Sequence, residues 1–256
     1  MSKYHPSVQP SIFCPARLEW SDATHLELRP AGGVWVSNPL TGDRMQLGAS
    51  LPTLTNSGLS AETLYYVYFQ VKTGTLTAST TSSTTTDSVE HQTGAADQML
   101  VGWCRTDDSA EFVFEPARRW VCSCHQPRMV PMKAQGTAEF GLAANGYFLA
   151  PSNPMTLSYL RHPGFDVLFN AAMVGRHNDG LRFILGLDVG ANASVQGHER
   201  GTHQLSGEAQ AIAIATDPAD GTIAFRQTQI LIAGSPGTSI DITSDQGTFH
   251  QANWWG

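Results

Sequence analysis

The stretch LYYVYFQVK, residues 64–72, decides how this chain is read. In an extended strand successive side chains point to opposite faces. Leu64, Tyr66 and Tyr68 then share one face, and Tyr65, Val67, Phe69 and Val71 share the other. Both faces are apolar or aromatic, so this strand is expected to be covered on both sides. No apolar pattern at spacings of three and four residues is sustained in the chain, whereas short apolar runs bounded by turn residues recur throughout. The expected fold class is therefore all-β.

Upstream, HLELRP (25–30), GVWVSN (33–38) and RMQLG (44–48) are strand candidates, and Ala31-Gly32-Gly33 reads as a hairpin turn between the first two. Residues 1–20 carry Pro6, Pro10 and Pro15, which break any ladder. They read either as an extended arm that docks on a neighbouring subunit or as a poorly ordered terminus. Downstream, residues 73–86 hold eight threonines in fourteen residues. TLTAS (75–79) reads as a strand and TTSSTTTDS (80–88) as a polar loop. QMLVGWCRT (98–106) alternates, with Met99, Val101 and Trp103 expected on one side. Phe112 and Phe114 mark another strand, and RRWVCSCH (118–125) the next, with Trp120, Cys122 and Cys124 on a shared face.

Pro127 and Pro131 mark a boundary, after which the composition shifts: no cysteine follows Cys124 and no lysine follows Lys133. The expected organisation is an arm over 1–20, a small β-sandwich or barrel module over 21–126, and a second β domain over 133–256. The second domain has strand candidates DVLFNAAMVG (166–175), LRFILGLDVG (181–190), AQAIAIA (209–215), TIAFRQTQILIAG (222–234) and SIDITSD (239–245). Turn signals spaced 8 to 12 residues apart suggest a sandwich or jelly roll.

Only 14% of the 256 residues are charged, well below the usual quarter, and lysine occurs three times, at Lys3, Lys72 and Lys133. The net charge is −7. A nucleic-acid partner would demand clustered Lys and Arg to neutralise phosphates, so none is expected. A neutral polar surface suits a protein packed among other protein subunits, the plain alternative being an acidic protein of no special habit. No apolar run approaches the roughly 20 residues that span a bilayer, and the N-terminal residues lack a signal-peptide h-region. No membrane partner is expected, and the chain is read as made in a cytoplasm. Cys14, Cys104, Cys122 and Cys124 are then expected as thiols.

At residues 64–128 the patterns LYYVYFQVKTGTLTAST, GAADQMLVGWCRT and FVFEPARRWVCSC resemble a module of small tailed-phage virion proteins, described as head fibre, tail fibre, spike or minor structural proteins. Leu100-Val101-Gly102 and Arg105-Thr106 match its third element. Arg119, Trp120 and Ser123 match its fourth loosely, and Cys124-His125 stands where that element has an aromatic residue. The resemblance covers about a quarter of the chain. The second half is similar in architecture to jelly-roll heads of the tumour-necrosis-factor-like type. What these likenesses imply is a homotrimer, carried on the virion and assembled in the host cytoplasm, with major capsid or tail proteins as partners. The implied roles are a fibre or spike, a capsid decoration (cement) protein, or a tail fibre that recognises host surface polysaccharide.

No catalytic constellation is found. His198-Glu199 and His203 miss the helical zinc-protease spacing by one residue and sit in a Gly-rich stretch, which reads as a polar loop. Cys122 and Cys124 lack the second knuckle of a zinc site and read as small buried hydrophobes, with a disulfide between subunits as the alternative. There is no Walker A, dinucleotide or nucleophile-elbow motif. No enzyme, metal or cofactor is expected. The candidate ligand or partner contacts are Trp254 and Trp255, since paired tryptophans stack on sugars and anchor protein interfaces. The alternative is that they fold back onto the jelly roll or the trimer axis.

Overall fold

The computed structural model describes residues 14–135, 140–141, 146–149, 156–177, 183–189, 200–201, 207–234, 239–241 and 249–256. Among them the fold is all-β, without a helix. The first half has β1 (Ala16–Asp22), β2 (His25–Pro30), β3 (Trp35–Asn38), β4 (Asp43–Gln46), β5 (Thr53–Thr55), β6 (Leu64–Gln70), β7 (Thr75–Ser79), β8 (Ser83–Thr86), β9 (Val89–Gln92), β10 (Ala95–Arg105), β11 (Phe114–Glu115), β12 (Arg118–Arg119) and β13 (Val121–Ser123). The second half has β14 (Met129–Gln135), β15 (Phe140–Gly141), β16 (Gly146–Leu149), β17 (Leu157–Arg161), β18 (Val167–His177), β19 (Phe183–Val189), β20 (Arg200–Gly201), β21 (Gly207–Asp217), β22 (Ala224–Gly234), β23 (Ser239–Asp241) and β24 (Phe249–Trp255).

The centre of the first half is the sheet β7-β6-β10-β9-β8, with β13 also paired to β10. Strand β6 is covered on both faces, as its sequence requires. Tyr65, Val67 and Phe69 enter a core with Leu18, Leu26, Leu28, Val36 and Leu54, which come from β1, β2, β3 and β5. On the other face Tyr68 is buried with Met132, Leu157, Tyr159, Phe169 and Trp254, all from the second half, and Leu64 and Tyr66 pack beside it. One ladder is thus a shared wall between two cores.

Strand β10 departs from simple alternation. Its register to β6 slips between Leu100, paired with Tyr68, and Gly102, paired with Val67. The bulge at Val101 reverses the parity. Met99 and Val101 face the first core, but Trp103 turns to the second, beside Leu100, and not to the side of Met99. At the same place β13 and β1 press onto the strand. A Cβ on Gly102 would lie 2.4 Å from the Cys122 carbonyl oxygen and 2.9 Å from Leu18 Cδ2. Ser123 completes this contact: its buried hydroxyl accepts from the Leu18 N–H at 3.1 Å and donates to the His125 carbonyl at 2.7 Å.

Three other local expectations are corrected. Ala31-Gly32-Gly33 does not close a hairpin, because β2 pairs with β1 and β5 while β3 pairs with β4. The Ala31 and Gly32 N–H groups bond to the Pro15 carbonyl instead. The threonine-rich loop contains β8, which pairs with β9 through a two-residue turn, Asp87-Ser88. Both turn residues have positive φ, 47° and 65°, the twist a tight hairpin needs. Finally, the proline-marked boundary is itself mostly strand. Pro131 lies inside β14, which is the edge strand of β14-β24-β18-β21-β20. There a residue without an N–H is tolerated.

In the second half, β11-β12-β17-β22-β16, joined by β19, lies against β14-β24-β18-β21-β20. Tyr159 of β17 and Phe169 of β18 meet between the sheets with ring centroids 5.5 Å apart. At one end a buried network ties the sheets together. Arg161 donates from Nη1 to Asp217 Oδ1 at 3.1 Å, and the Tyr159 hydroxyl donates to Asp217 Oδ2 at 2.7 Å. Arg161 Nη2 lies 2.5 Å from Asp220. Strands β11 and β12 belong to the first half by sequence, yet β12 runs parallel to β17, Arg118 beside Ser158 and Arg119 beside Tyr159. Sheet and core therefore both continue across Pro127–Pro131. Of the candidate LRFILGLDVG, residues 183–189 form β19, and residues 181, 182 and 190 lie outside the described residues.

Two substitutions test this arrangement with opposite signs. Gly102→Ala is expected to destabilise the protein by about 3 kcal/mol or more, since the new methyl meets backbone. Ser88→Gly is expected to stabilise it by about 1 kcal/mol by removing a left-handed non-glycine residue. Urea unfolding midpoints measure both.

Candidate functional site

The two C-terminal tryptophans lie on β24, which pairs with β14 on one side and β18 on the other. Alternation along β24 buries Ala252 and Trp254 and exposes Asn253. Trp254 is 0% exposed. Its indole N–H donates to the Leu160 carbonyl at 2.7 Å, and its ring meets Phe114 edge-on at 6.0 Å. Gly256 lies against the same ring, so that a Cβ there would sit 1.8 Å from Cη2. Gly256 and Arg128 exchange backbone hydrogen bonds of 2.8 and 3.1 Å, extending the β14–β24 ladder. Trp254 is thus a wedge between the halves and presents no face to a ligand. The reason is strand parity, which FHQANWW (249–255) does not display because its apolar and polar residues do not alternate. For Trp255 the described geometry is its backbone register opposite Met129.

The residues that carry the family resemblance have internal tasks. Arg105 lies over Phe225 at 4.2 Å and over Trp120 at 5.6 Å. Trp120 donates from Nε1 to Ser158 at 2.8 Å and meets Phe225 edge-on. Thr106 is buried; its hydroxyl donates to the Ser60 carbonyl at 2.6 Å and accepts from the Thr63 N–H at 3.1 Å. These contacts join β10 to the second half and to the loop before β6.

All four cysteines are thiols. Burial pushes Cys14 up to about 12 and raises Cys104, Cys122 and Cys124 well above the ordinary thiol range. None is poised as a nucleophile, since the thiolate is the reactive form. Among the described residues no three His, Cys, Asp or Glu side chains are gathered in a way that would hold a metal. His198, Glu199 and His203 lie outside the described residues. Among the described residues no helix is long and apolar enough to cross a membrane.

What remains at the surface differs from the sequence expectation. Trp35, on β3, is 58% exposed. Its register opposite Gln46, with Ser37 opposite Arg44, puts an aromatic ring beside polar groups on one face of the β3–β4 hairpin. Nothing in GVWVSN separates this tryptophan from its buried neighbour Val36 except parity within a four-residue strand. On the second half, Met129, Leu168 and Ile214 are also exposed, all on the sheet that contains β24.

No protein-family model matches the chain, and no curated protein matches it. Solved structures of infectious bursal disease virus are similar in part. One, of the Gx strain, is 11% identical and covers 95% of this chain and 74% of that chain at a TM-score of 0.22. Another, the crystal structure of the VP2 subviral particle, is 10% identical with the same coverage at 0.23. At these scores the likeness carries no argument about fold or function.

The junction of the halves also holds a histidine pair. His162 is buried, stacked edge-on against Trp103 at 5.7 Å and packed on Phe165. Its Nδ1 accepts from the Gly164 N–H at 3.0 Å, which leaves the proton on Nε2. Burial, with His125 nearby, lowers it from 6.5 to about 4. His125, whose Nε2 bonds the Leu100 carbonyl at 2.9 Å, is lowered for the same first reason. The folded protein thus binds these protons less readily than the unfolded chain. Stability is full above about 6.5 and falls as pH drops towards 4. The urea midpoint is expected to fall between pH 7 and pH 5, and less steeply in His162→Gln. A midpoint independent of pH over that range would contradict the buried neutral imidazole.

Proposed function

We propose that this chain is a non-enzymatic virion structural protein, a short trimeric fibre, spike or decoration protein exposed on a particle surface. The observation that carries the reading is the core shared by the two halves. Tyr68, Leu100, Trp103 and Cys122 from the first half pack with Met132, Tyr159, Phe169 and Trp254 from the second. Ligand sites favour clefts at domain interfaces, and here most of that interface is occupied by aromatic packing and cation–π contacts, which leave a small cavity beside Trp254 lined by Leu18, Phe114, Val121 and Val130. A one-piece β body suits a component that works by shape and burial.

The jelly-roll reading of the second half is supported by its connectivity. From β17 onwards the chain passes to the opposite sheet at β18, back at β19, across to β20 and β21, back at β22 and across again at β23 and β24. Such repeated crossing is how a jelly roll is wound. The resemblance of residues 64–128 to phage virion proteins supplies the biological setting. The partners of this reading are further copies of the chain and major capsid or tail proteins, and its location is the virion.

A second reading, recognition of host surface polysaccharide, is favoured by Trp35 with Gln46 and Arg44 on one hairpin face. Aromatic rings of this kind stack on sugars.

Density-gradient purification of particles from cells expressing the full chain tests the first reading. The protein is expected to band with particles and stay through a high-salt wash; recovery only at the top of the gradient would overturn it. Binding to whole host cells that drops at least tenfold in Trp35→Ala would establish the second reading instead.

A further inference from the structure

Several arginines of this molecule stand beside an acid: Arg17 by Glu19, Arg29 by Glu27 and Arg118 by Glu115. Arg44, exposed on β4, forms no ion pair among the described residues. Its position on the β3–β4 hairpin gives that free charge a setting. The registers Trp35↔Gln46 and Ser37↔Arg44 put four side chains on one face. Trp35, Arg44 and Gln46 are exposed and Ser37 is half-buried. Arg44 is the diagonal neighbour of Trp35, about 7–8 Å across the hairpin and within reach of a long side chain. The other face of the hairpin is turned inward, since Val36 enters the first core. The acid of β4, Asp43, has that inward parity, and its carboxylate accepts from the Thr41 hydroxyl at 2.7 Å. The outward strand positions therefore hold one ring, one cation, one amide and one hydroxyl, with no acid and no aliphatic residue.

We propose that this face binds an acidic sugar unit of a surface polysaccharide, with the indole of Trp35 stacked on the sugar ring and Arg44 paired with its carboxylate. The assignment rests on the polysaccharide reading above and specifies its ligand. The surroundings of the ring select a sugar. A protein anchor sits in a well-packed pocket that excludes water, whereas this ring stands in the open among hydrogen-bonding groups suited to hydroxyls. The free charge selects an acid. A guanidinium has donors only and is permanently charged. A neutral sugar leaves that charge unpaired, while a carboxylate takes two parallel N–H bonds from it. One ring and one cation take one acidic unit, which suits a polymer where acidic and neutral sugars alternate. A nucleic acid, charged at every unit, is held by clustered cations, and this chain carries a net charge of −7.

Biolayer interferometry of the full chain on immobilised hyaluronate tests this, with carboxyl-reduced hyaluronate as the neutral form of the same polymer. The wild type is expected to bind the acidic form about tenfold more tightly than the reduced one, the worth of one charge-assisted hydrogen bond. Trp35→Ala and Arg44→Gln should each lose about tenfold or more on hyaluronate. Arg29→Gln, which removes an ion-paired cation from β2, should bind as the wild type does. Circular dichroism and thermal midpoint should be retained in both hairpin variants, because both side chains are exposed. Equal binding of the two polymers, or of Arg44→Gln and wild type, would overturn the acidic specificity. So would a failure to bind either polymer. In each case, whole-cell binding that still falls in Trp35→Ala would leave the polysaccharide reading standing, and whole-cell binding unchanged by that substitution would end both.

Discussion

The structure depends on one ladder, β6 with β10, that has no solvent side. Most sheets in small β proteins are covered on one face and hydrated on the other. Here each face of the ladder is the wall of a different core. Val67 and Phe69 belong to one, Tyr68 and Trp103 to the other. The ladder cannot open towards either core without exposing apolar area in both, at roughly 25 cal/mol per Å². This couples regions distant in sequence: Leu18 lies in one core, Trp254 in the other, and both cores are walled by the same ladder. The bulge at Val101 makes the coupling geometrically feasible. It turns Trp103 to the second core and leaves Gly102 bare where β13 and β1 approach.

How much of this was legible follows from where parity holds. The two-sided burial of residues 64–71 was readable because β6 is regular and its two faces are both apolar. Strand existence was readable for β18, β21 and β22, where apolar residues are frequent over long stretches, and for β2 and β7, where apolar and polar residues alternate. The side taken by Trp103 was not, because a bulge shifts parity without leaving a sequence mark. Pro131 misled in a physical way: proline forbids only one hydrogen bond, and an edge strand has one to spare. The threonine run misled for a related reason. STTT has the β propensity of its branched side chains, but its polarity reads as loop.

The candidate contacts show the same limit more sharply. Tryptophan marks both interface anchors and core wedges, and only position within a strand separates them. Trp254, flanked by exposed Asn253, faces inward and is held by Leu160, Phe114 and Gly256. Trp35, in a short hairpin, stands in solvent. Composition gave no means of ranking the two. Three residues of the stretch after β6 are likewise internal: Gly102 permits close approach, Arg105 bridges Trp120 and Phe225, and Thr106 closes a buried turn. Residues of this kind specify a way of packing. Surface recognition would be written in other positions.

The scarcity of charge in this chain acquires a location from the fold. Charges on the sheets are paired at two places: Arg17, Glu19, Glu27 and Arg29 on the β1–β2 face, and Arg161 with Asp217 where the two sheets of the second half are clamped. The buried clamp does not owe its place to net electrostatic gain, since desolvation offsets most of the attraction. Its effect is positional: it fixes the ends of β17 and β21 against each other.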